Sequence, residues 1–193
     1  MQRVLADANR RIGPDLVIAG ARLDLGTSVL LRESPVPEGS PRLLDLGCGY
    51  GPIAMALALN CPGATVDAVD VNDRALALCR DNAAALGVGD RVRALRPEQV
   101  DPTTRYHEIW SNPPIRIGKE ALHELLLTWL ARLVPDGVAR LVVGRNLGAD
   151  SLQRWLLEQG YDCERAASAK GFRVLSVRPM SAVEMSQVSP HSG

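Results

Sequence analysis

The feature that most constrains the fold is an apolar segment that runs directly into three alternating glycines. Residues 43–46 have the short apolar pattern of a buried strand, and Gly47, Gly49 and Gly51 follow at once. Glycine tolerates positive φ and lets a ligand approach the backbone closely. Pro52 suits the first turn of a helix, where its missing N–H is no loss. The segment therefore predicts a strand, a turn and a helix that together hold a nucleotide-like cofactor at the helix start.

Strands and helices are predicted to alternate from residue 42 onward. The apolar patterns predict strands at 43–46, 65–69, 91–95, 109–110, 138–143 and 172–177, and helices at 53–59, 74–86, 120–133 and 152–158. Alternation of this kind favours a mostly parallel sheet with helices on both faces. Ligands of such sheets bind beyond the carboxyl ends of the strands, which is where the glycine turn falls.

The composition is that of an ordinary soluble domain. The 193 residues are 46% hydrophobic and 23% charged, which is enough for one sizeable core. No apolar run reaches the roughly 18 residues of a membrane span, and residues 1–7 lack the apolar core of a secretion signal. We therefore expect a cytoplasmic protein with no membrane partner. The net charge is zero, so no overall field attracts nucleic acid.

The cysteines and histidines argue against a bound metal. The four cysteines form no Cys-x-x-Cys pair, and the three histidines do not cluster with them. A zinc site and a disulfide framework are therefore not expected, and the thiols are expected to be reduced and mostly buried.

Two acidic residues flank the glycine turn. Asp70 ends the second predicted strand about 20 residues downstream, where a carboxylate can accept hydrogen bonds from ribose hydroxyls. Residues 49–54 formally match a dinucleotide-binding fingerprint, but that match starts late relative to the strand and leaves Gly47 unexplained. A NAD site and a ligand-free turn stay open as alternatives. Asp45 favours S-adenosylmethionine, because it could bind a methionine ammonium directly or through water.

A second segment, Ser111-Asn112-Pro113-Pro114-Ile115, indicates the reaction. Methyl transfer from a sulfonium requires the acceptor lone pair to point at the methyl carbon, so positioning supplies much of the catalysis. The side-chain carbonyl of Asn112 and the backbone carbonyl of Pro113 can each accept one hydrogen of an amino group, which orients the nitrogen. The prolines stiffen the loop. The alternative is that the segment is only a turn.

These segments resemble the class I methyltransferases. Residues 45–51, 70–72 and 111–115 are similar to motifs of the small methyltransferase group, which contains ribosomal RNA guanine-N2 methyltransferases. Residues 23–27 resemble the segment that precedes the cofactor motif there, and residues 170–175 resemble the closing strand. The resemblance implies a Rossmann-like sheet of seven mostly parallel strands with helices on both faces, and S-adenosyl-L-methionine as the cofactor.

The resemblance also implies roles for individual residues. Catalysis is expected from Asn112 and Pro113. Cofactor binding is expected from Thr27, Asp45, Gly47, Gly49, Gly51, Asp70, Val71, Glu98 and Asn112. Substrate binding is expected from Pro114, Ile115, Arg116, Lys119 and Arg173. Many members of the group have an aromatic residue that can stack on a flipped base where this chain has Ile115.

The expected activity is methylation of an exocyclic nitrogen, namely N2 of guanine in ribosomal RNA. Methylation of a protein glutamine or of a small molecule is the first alternative, and a cofactor-binding module without turnover is the second. RNA would be recognised by a partner, by a dimer, or by Arg116, Lys119, Lys170 and Arg173. We expect an N-terminal extension over 1–34 that packs on the domain, a methyltransferase domain over 35–179, and a loose tail over 180–193.

Overall fold

The structure is a computed structural model that describes residues 23–180, apart from the side chain of Arg116. Residues 1–22 of the expected extension and all of the expected tail except Met180 lie outside this range. One sheet contains the strands β1 (Arg42–Leu46), β2 (Thr65–Val69), β3 (Val92–Leu95), β4 (Tyr106–Ser111), β5 (Leu133–Gly144), β6 (Tyr161–Ala169) and β7 (Phe172–Pro179). The α-helices are α1 (Leu25–Glu33), α2 (Pro52–Asn60), α3 (Asp73–Ala85), α4 (Lys119–Leu130) and α5 (Ala149–Glu158).

The strand order brings the signature segments together. The order is β3-β2-β1-β4-β5-β7-β6, with β7 antiparallel to both of its neighbours and the other pairs parallel. The predicted fold of seven mostly parallel strands is confirmed. In the central strands, Leu46 at the end of β1 pairs with Val69 of β2 and with Ser111 of β4. The glycine turn, Asp70 and Asn112 therefore leave the same edge of the sheet.

Apolar side chains cover both faces of the sheet. One cluster packs α1, α2 and α3 on one face, and the other packs α4 and α5 on the opposite face. Helix α2 is unusual because residues 52–58 are all buried, which places its first turn beneath the glycine turn. All four cysteines are buried and free, as predicted. None of the helices between residues 23 and 180 is long and apolar enough to cross a membrane.

Two predictions of secondary structure were incomplete. Strand β6 was missed because it is an edge strand, paired only with β7, and most of its side chains are exposed, so no apolar alternation marks it. The helix predicted over 120–133 ends at Leu130, and Leu133 instead begins β5 opposite Tyr106. Leu133 is buried in either arrangement, so the apolar spacing could not distinguish them. The residue before Pro135 disfavours helix, which fits the observed end.

Candidate active site

The glycine turn is held on the end of β2 by backbone hydrogen bonds. The N–H groups of Gly47 and Cys48 donate to the carbonyl of Val69 at 2.8 and 3.0 Å. The N–H of Gly49 donates to Oδ2 of Asp70 at 2.9 Å. The turn and Asp70 therefore form one rigid unit, which agrees with their predicted association.

The glycines of the turn serve two different purposes. Gly51 has a φ of +85°, and a Cβ there would lie 2.6 Å from Sγ of Cys79 in α3, so packing requires glycine at this position. A Cβ on Gly49 would meet nothing within 4 Å, and one on Gly47 would meet only Cδ of Pro114 at 3.9 Å. Gly47 and Gly49 therefore border open space at the start of α2, and this cradle fits a cofactor that approaches the backbone closely.

Asp45 lies behind the glycine turn and is fully buried. Its Oδ2 accepts a hydrogen bond from the N–H of Ala54 at 2.9 Å, while Oδ1 has no partner between residues 23 and 180. Burial raises the pKa of Asp45 to about 7, the bond from Ala54 opposes this rise, and the charge of Asp70 adds to it. An ammonium group, bonded directly or through water, would supply the missing donor. The orphaned oxygen thus fits the predicted cofactor.

Asp70 keeps acceptor capacity for a ligand. Besides the bond from Gly49, its Oδ1 accepts the N–H of Asn72 at 2.9 Å. A carboxylate has about four acceptor positions, so roughly two remain for ribose hydroxyls. Val71 follows with 72% of its surface exposed and offers an apolar face. Glu98 instead accepts from Nε of Arg96 at 2.7 Å, and its predicted contact with adenine stays a prediction.

Asn112 is oriented by the start of α1. Its Nδ2 donates to Oδ2 of Asp24 at 3.0 Å and to Oγ1 of Thr27 at 3.2 Å. A carboxylate only accepts hydrogen bonds, so the amide must turn its NH₂ toward Asp24. Oδ1 of Asn112 has no donor in the part of the chain that is described. Thr27 is buried, and its hydroxyl oxygen accepts the hydrogen bond from Asn112. The predicted contact of Thr27 with the cofactor stays a prediction.

The Asn-Pro-Pro loop and the glycine turn meet. The hydroxyl of Ser111 donates to the carbonyl of Leu46 at 2.7 Å and ties the ends of β4 and β1 together. Pro114 approaches Gly47, as noted above. The carbonyl of Pro113 already accepts the N–H of Ile115 at 2.8 Å, which leaves one of its two lone pairs free. The predicted catalytic and cofactor segments thus share one site.

Three of the predicted substrate residues line two separate cavities. Ile115 and Lys119 line an apolar cavity of about 300 Å³ between α4 and the start of α5, together with Leu122, His123, Val143, Leu147, Gly148, Ser151 and Leu152. Arg173 lines a separate cavity of about 330 Å³ at the β6–β7 hairpin. Pro114 lines neither of these two cavities.

Two residues of the site were not predicted. Asp24 caps α1 by accepting from the N–H of Gly26 at 2.8 Å, and it also holds Asn112. Phe172 reaches the same place, because a Cβ on Gly26 would lie 3.0 Å from Cε1 of Phe172 and 3.3 Å from Nδ2 of Asn112. Both residues lie in segments 23–27 and 170–175, whose resemblance to the small methyltransferase group was the available signal. No group of three or more metal ligands occurs in residues 23–180.

A comparison with protein families identifies the class of protein. Residues 14–176 match the family described as the methyltransferase small domain. The chain belongs to this family. Its members are methyltransferases, so the predicted enzyme class and the predicted cofactor, S-adenosylmethionine, are confirmed. The resemblance inferred from residues 45–51, 70–72 and 111–115 is confirmed as well.

Relatives of this small-domain methyltransferase include characterised enzymes. YbxB of Bacillus subtilis, an uncharacterized protein, is 30% identical over 165 residues, which cover 84% of this chain and 82% of YbxB. Ribosomal RNA small subunit methyltransferase C of Shewanella baltica is 34% identical, over 68% of this chain and 38% of the relative. Release factor glutamine methyltransferase of Bordetella pertussis is 46% identical, over 68% of this chain and 52% of the relative. The chain therefore spans about half or less of the two characterised relatives.

A solved structure shows the same fold. The T. thermophilus 16S rRNA N2 G1207 methyltransferase in complex with AdoMet and guanosine has a TM-score of 0.70 and 24% identity, over 84% of this chain and 45% of that chain. The likeness to this structure shows that the two chains share a fold.

Proposed function

We propose that this methyltransferase transfers a methyl group to the exocyclic N2 of guanine in ribosomal RNA. The observation that carries the proposal is the orientation of Asn112. Its NH₂ donates to Asp24 and Thr27, so its carbonyl Oδ1 is free to bind the amino group that accepts the methyl. An oriented carbonyl at the carboxyl end of β4, beside the cofactor cradle, is what an amino group requires.

The two carbonyls of the loop would act on the acceptor amine. Oδ1 of Asn112 and the free lone pair of the Pro113 carbonyl would each accept one amino hydrogen. This arrangement fixes the direction of the nitrogen lone pair and stabilises the positive charge that develops on nitrogen. Because the Asn112 amide is already held by Asp24 and Thr27, little reorganisation is needed when the acceptor arrives.

The cofactor side would be held by residues of the glycine turn and the end of β2. When bound, S-adenosylmethionine supplies a methyl carbon activated by a sulfonium. Gly47 and Gly49 would admit the methionine portion, and Asp45 would neutralise its ammonium. Asp70 would accept the ribose hydroxyls, and the exposed Val71 would contact the adenine.

The cavity beside Ile115 would hold the acceptor base. Its wall is largely apolar, with Ile115, Leu122 and Leu152 on it. Aliphatic side chains pack on the face of a base through dispersion and burial, although they lack π overlap. Lys119, which we also assign to substrate, lines the same cavity from the first turn of α4.

The similarity to ribosomal RNA small subunit methyltransferase C supports RNA as the partner, and a cytoplasmic location would follow from a ribosomal substrate.

A second candidate is methylation of a glutamine side chain in a protein. It is favoured by the 46% identity to the B. pertussis release factor glutamine methyltransferase. The lone pair of a glutamine amide nitrogen is delocalised, as is that of the exocyclic amine of guanine. The carbonyls of Asn112 and Pro113 could orient either nitrogen.

The experiment is a transfer assay with methyl-labelled cofactor. The enzyme is incubated separately with small ribosomal subunits, free ribosomal RNA, a release factor and a protein extract. We expect label in RNA, and N2-methylguanosine after digestion to nucleosides. Label in protein but not in RNA would support the glutamine alternative, and label in neither would contradict both.

A further inference from the structure

The cavity at the β6–β7 hairpin is lined by four cationic side chains. Arg145, Arg165, Lys170 and Arg173 all line it, with Ser168 and Phe172 beside them. The rest of its lining is Ala169 and Gly171. Since the whole chain has a net charge of zero, four cations around about 330 Å³ form a local concentration of positive charge.

The charge is only partly neutralised within the protein. Asp150 of α5 pairs with Arg165 and with Arg173. Arg145 and Lys170 make no side-chain hydrogen bond or ion pair within residues 23–180, and both are exposed. One carboxylate thus contacts two of the four cations, and the other two are available to an anion. Basic side chains that converge on a cavity favour a phosphate group.

The backbone at Lys170 gives independent evidence for a specific role. Its φ is +50°, and it is the one residue other than glycine with positive φ between residues 23 and 180. Lys170 and Gly171 form the two-residue turn of the hairpin, where asparagine followed by glycine is the least strained choice. A strained backbone at a residue whose side chain is charged makes Lys170 a candidate ligand for an anion at the cavity.

The cavity adjoins the proposed acceptor site. Phe172 lines the cavity, and its ring and the amide of Asn112 both flank Gly26. The N–H of Arg145 donates to the carbonyl of Gly171 at 2.8 Å, which fixes the end of β5 against the hairpin. Phe172 therefore links the cavity to the surroundings of Asn112.

We infer that this cavity, which we call the hairpin phosphate site, binds a backbone phosphate of the RNA next to the methylated nucleotide. The inference rests on the proposed RNA substrate. Arg145 and Lys170 would contact the phosphate. Arg165 and Arg173, which pair with Asp150, would contribute mainly to the positive electrostatic potential of the cavity. Contacts of this kind position the RNA and carry no sequence information.

The test is a binding assay that requires no methyl transfer. Full-length enzyme is titrated into a fluorescein-labelled single-stranded RNA of ten nucleotides with one central guanosine, and anisotropy is followed over a range of chloride concentrations. The test variant is Arg145→Glu with Lys170→Glu. The matched control is Arg154→Glu with Arg178→Glu, which makes the same charge change at exposed residues without partners in the described part of the chain. Arg178 lies about 20 Å along β7 from the hairpin.

We expect the test variant to bind the RNA about tenfold or more weakly, and the control to bind within about twofold of wild type. The slope of log Kd against log salt should fall by roughly 0.7 for each lost contact. Thermal melting identifies a variant that does not fold. If the test variant does not fold, the double variant Arg145→Gln with Lys170→Asn replaces it, and this variant should show half of the loss in affinity or more.

Equal losses in both double variants would overturn the inference, because the effect would then be one of overall charge. Wild-type RNA affinity in the test variant would also overturn it, and if inorganic phosphate still bound less tightly to that variant than to wild type, the cavity would be a site for a free anion only. Because binding is measured without turnover, these outcomes are distinct from failure of the proposed reaction, which the labelled-cofactor assay reports.

Discussion

The two halves of the active site are built in different ways. The cofactor side consists of the glycine turn and the ends of β1 and β2, and most of its hydrogen bonds join backbone groups or a carboxylate to a backbone N–H. The acceptor side consists of Asn112 and the hairpin, and side chains from distant segments make it: Asp24 and Thr27 hold Asn112 across 88 and 85 residues.

The difference determines how easily substitutions could change the ligand that each half binds. A backbone cradle binds a cofactor common to the whole family, and few substitutions can alter it without disturbing the sheet. The acceptor side depends on side chains that can be exchanged singly, such as Ile115, Lys119 and Lys170. The family resemblance therefore establishes the cofactor, whereas the acceptor must be argued from this chain's own residues.

The substitution Asn112→Ala should have the largest effect, and it tests the acceptor side. Removal of Oδ1 leaves the amine without one of its two acceptors, so turnover should fall about 100-fold or more. Cofactor affinity, measured by calorimetry, should largely remain. Turnover at the wild-type level would mean that residues 112–114 are only a turn, and the contrast between the two halves would disappear.

Asn112→Asp sharpens the same test. The variant keeps an acceptor oxygen but loses the NH₂ that Asp24 and Thr27 hold, and it places a second carboxylate against Asp24. We expect partial activity that is lower than wild type and higher than that of Asn112→Ala. Activity below that of Asn112→Ala would show that orientation by Asp24 matters more than the acceptor oxygen itself.

Asp70→Ala tests the cofactor side. The variant removes the proposed ribose acceptor and the anchor of the Gly49 N–H, so S-adenosylmethionine should bind about 1–3 kcal/mol more weakly. The control is Asp73→Ala, an exposed carboxylate in the first turn of α3 that pairs with Arg96. If both variants bound the cofactor as wild type does, Asp70 would be a structural residue only.

The stability of the protein without cofactor should depend on pH through Asp45. Its pKa of about 7 in the folded state lies above the ordinary value of 3.8, so the folded state holds this proton more tightly than the unfolded state does. Stability is therefore lost as pH rises from about 4 to 7. Between pH 6 and 8 the free energy of unfolding should fall by roughly 1 kcal/mol more in wild type than in Asp45→Asn.

Denaturant unfolding of both proteins across this range measures the difference. A constant offset between wild type and Asp45→Asn would show that the buried carboxylate does not titrate there. Saturating S-adenosylmethionine should reduce the pH dependence, because an ammonium beside Asp45 stabilises its ionised form.

The smallest effect is expected for Lys170→Asn, which separates stability from binding on the acceptor side. Asparagine adopts positive φ with less strain than lysine, so the melting temperature should rise, by an amount equivalent to about 0.5–1 kcal/mol. RNA affinity should fall in the assay described above. A rise in stability with unchanged RNA affinity would remove Lys170 from the hairpin phosphate site.

Local patterns were enough to predict the cofactor side. The strand, the three glycines and Pro52 are adjacent in sequence, and Asp70 ends the next strand, so their association follows from the geometry of neighbouring parallel strands. The same logic placed Asn112 at the correct edge of the sheet. Strand β6 escaped prediction because an exposed edge strand carries no apolar alternation, and the end of α4 was misplaced because Leu133 is buried in a helix or a strand alike.

The sequence by itself determined the sheet, the cofactor and the position of the Asn-Pro-Pro loop, because each depends on residues close together in the chain or on a simple period. Only the tertiary structure decided that Asp24 and Thr27 fix the Asn112 amide, that Phe172 borders it, and that Arg145 joins the cations of the hairpin. These residues meet because α1 packs beside β5 and β7, and because β5 pairs with β7. Contacts between such distant segments depend on how the elements pack, which no local pattern specifies.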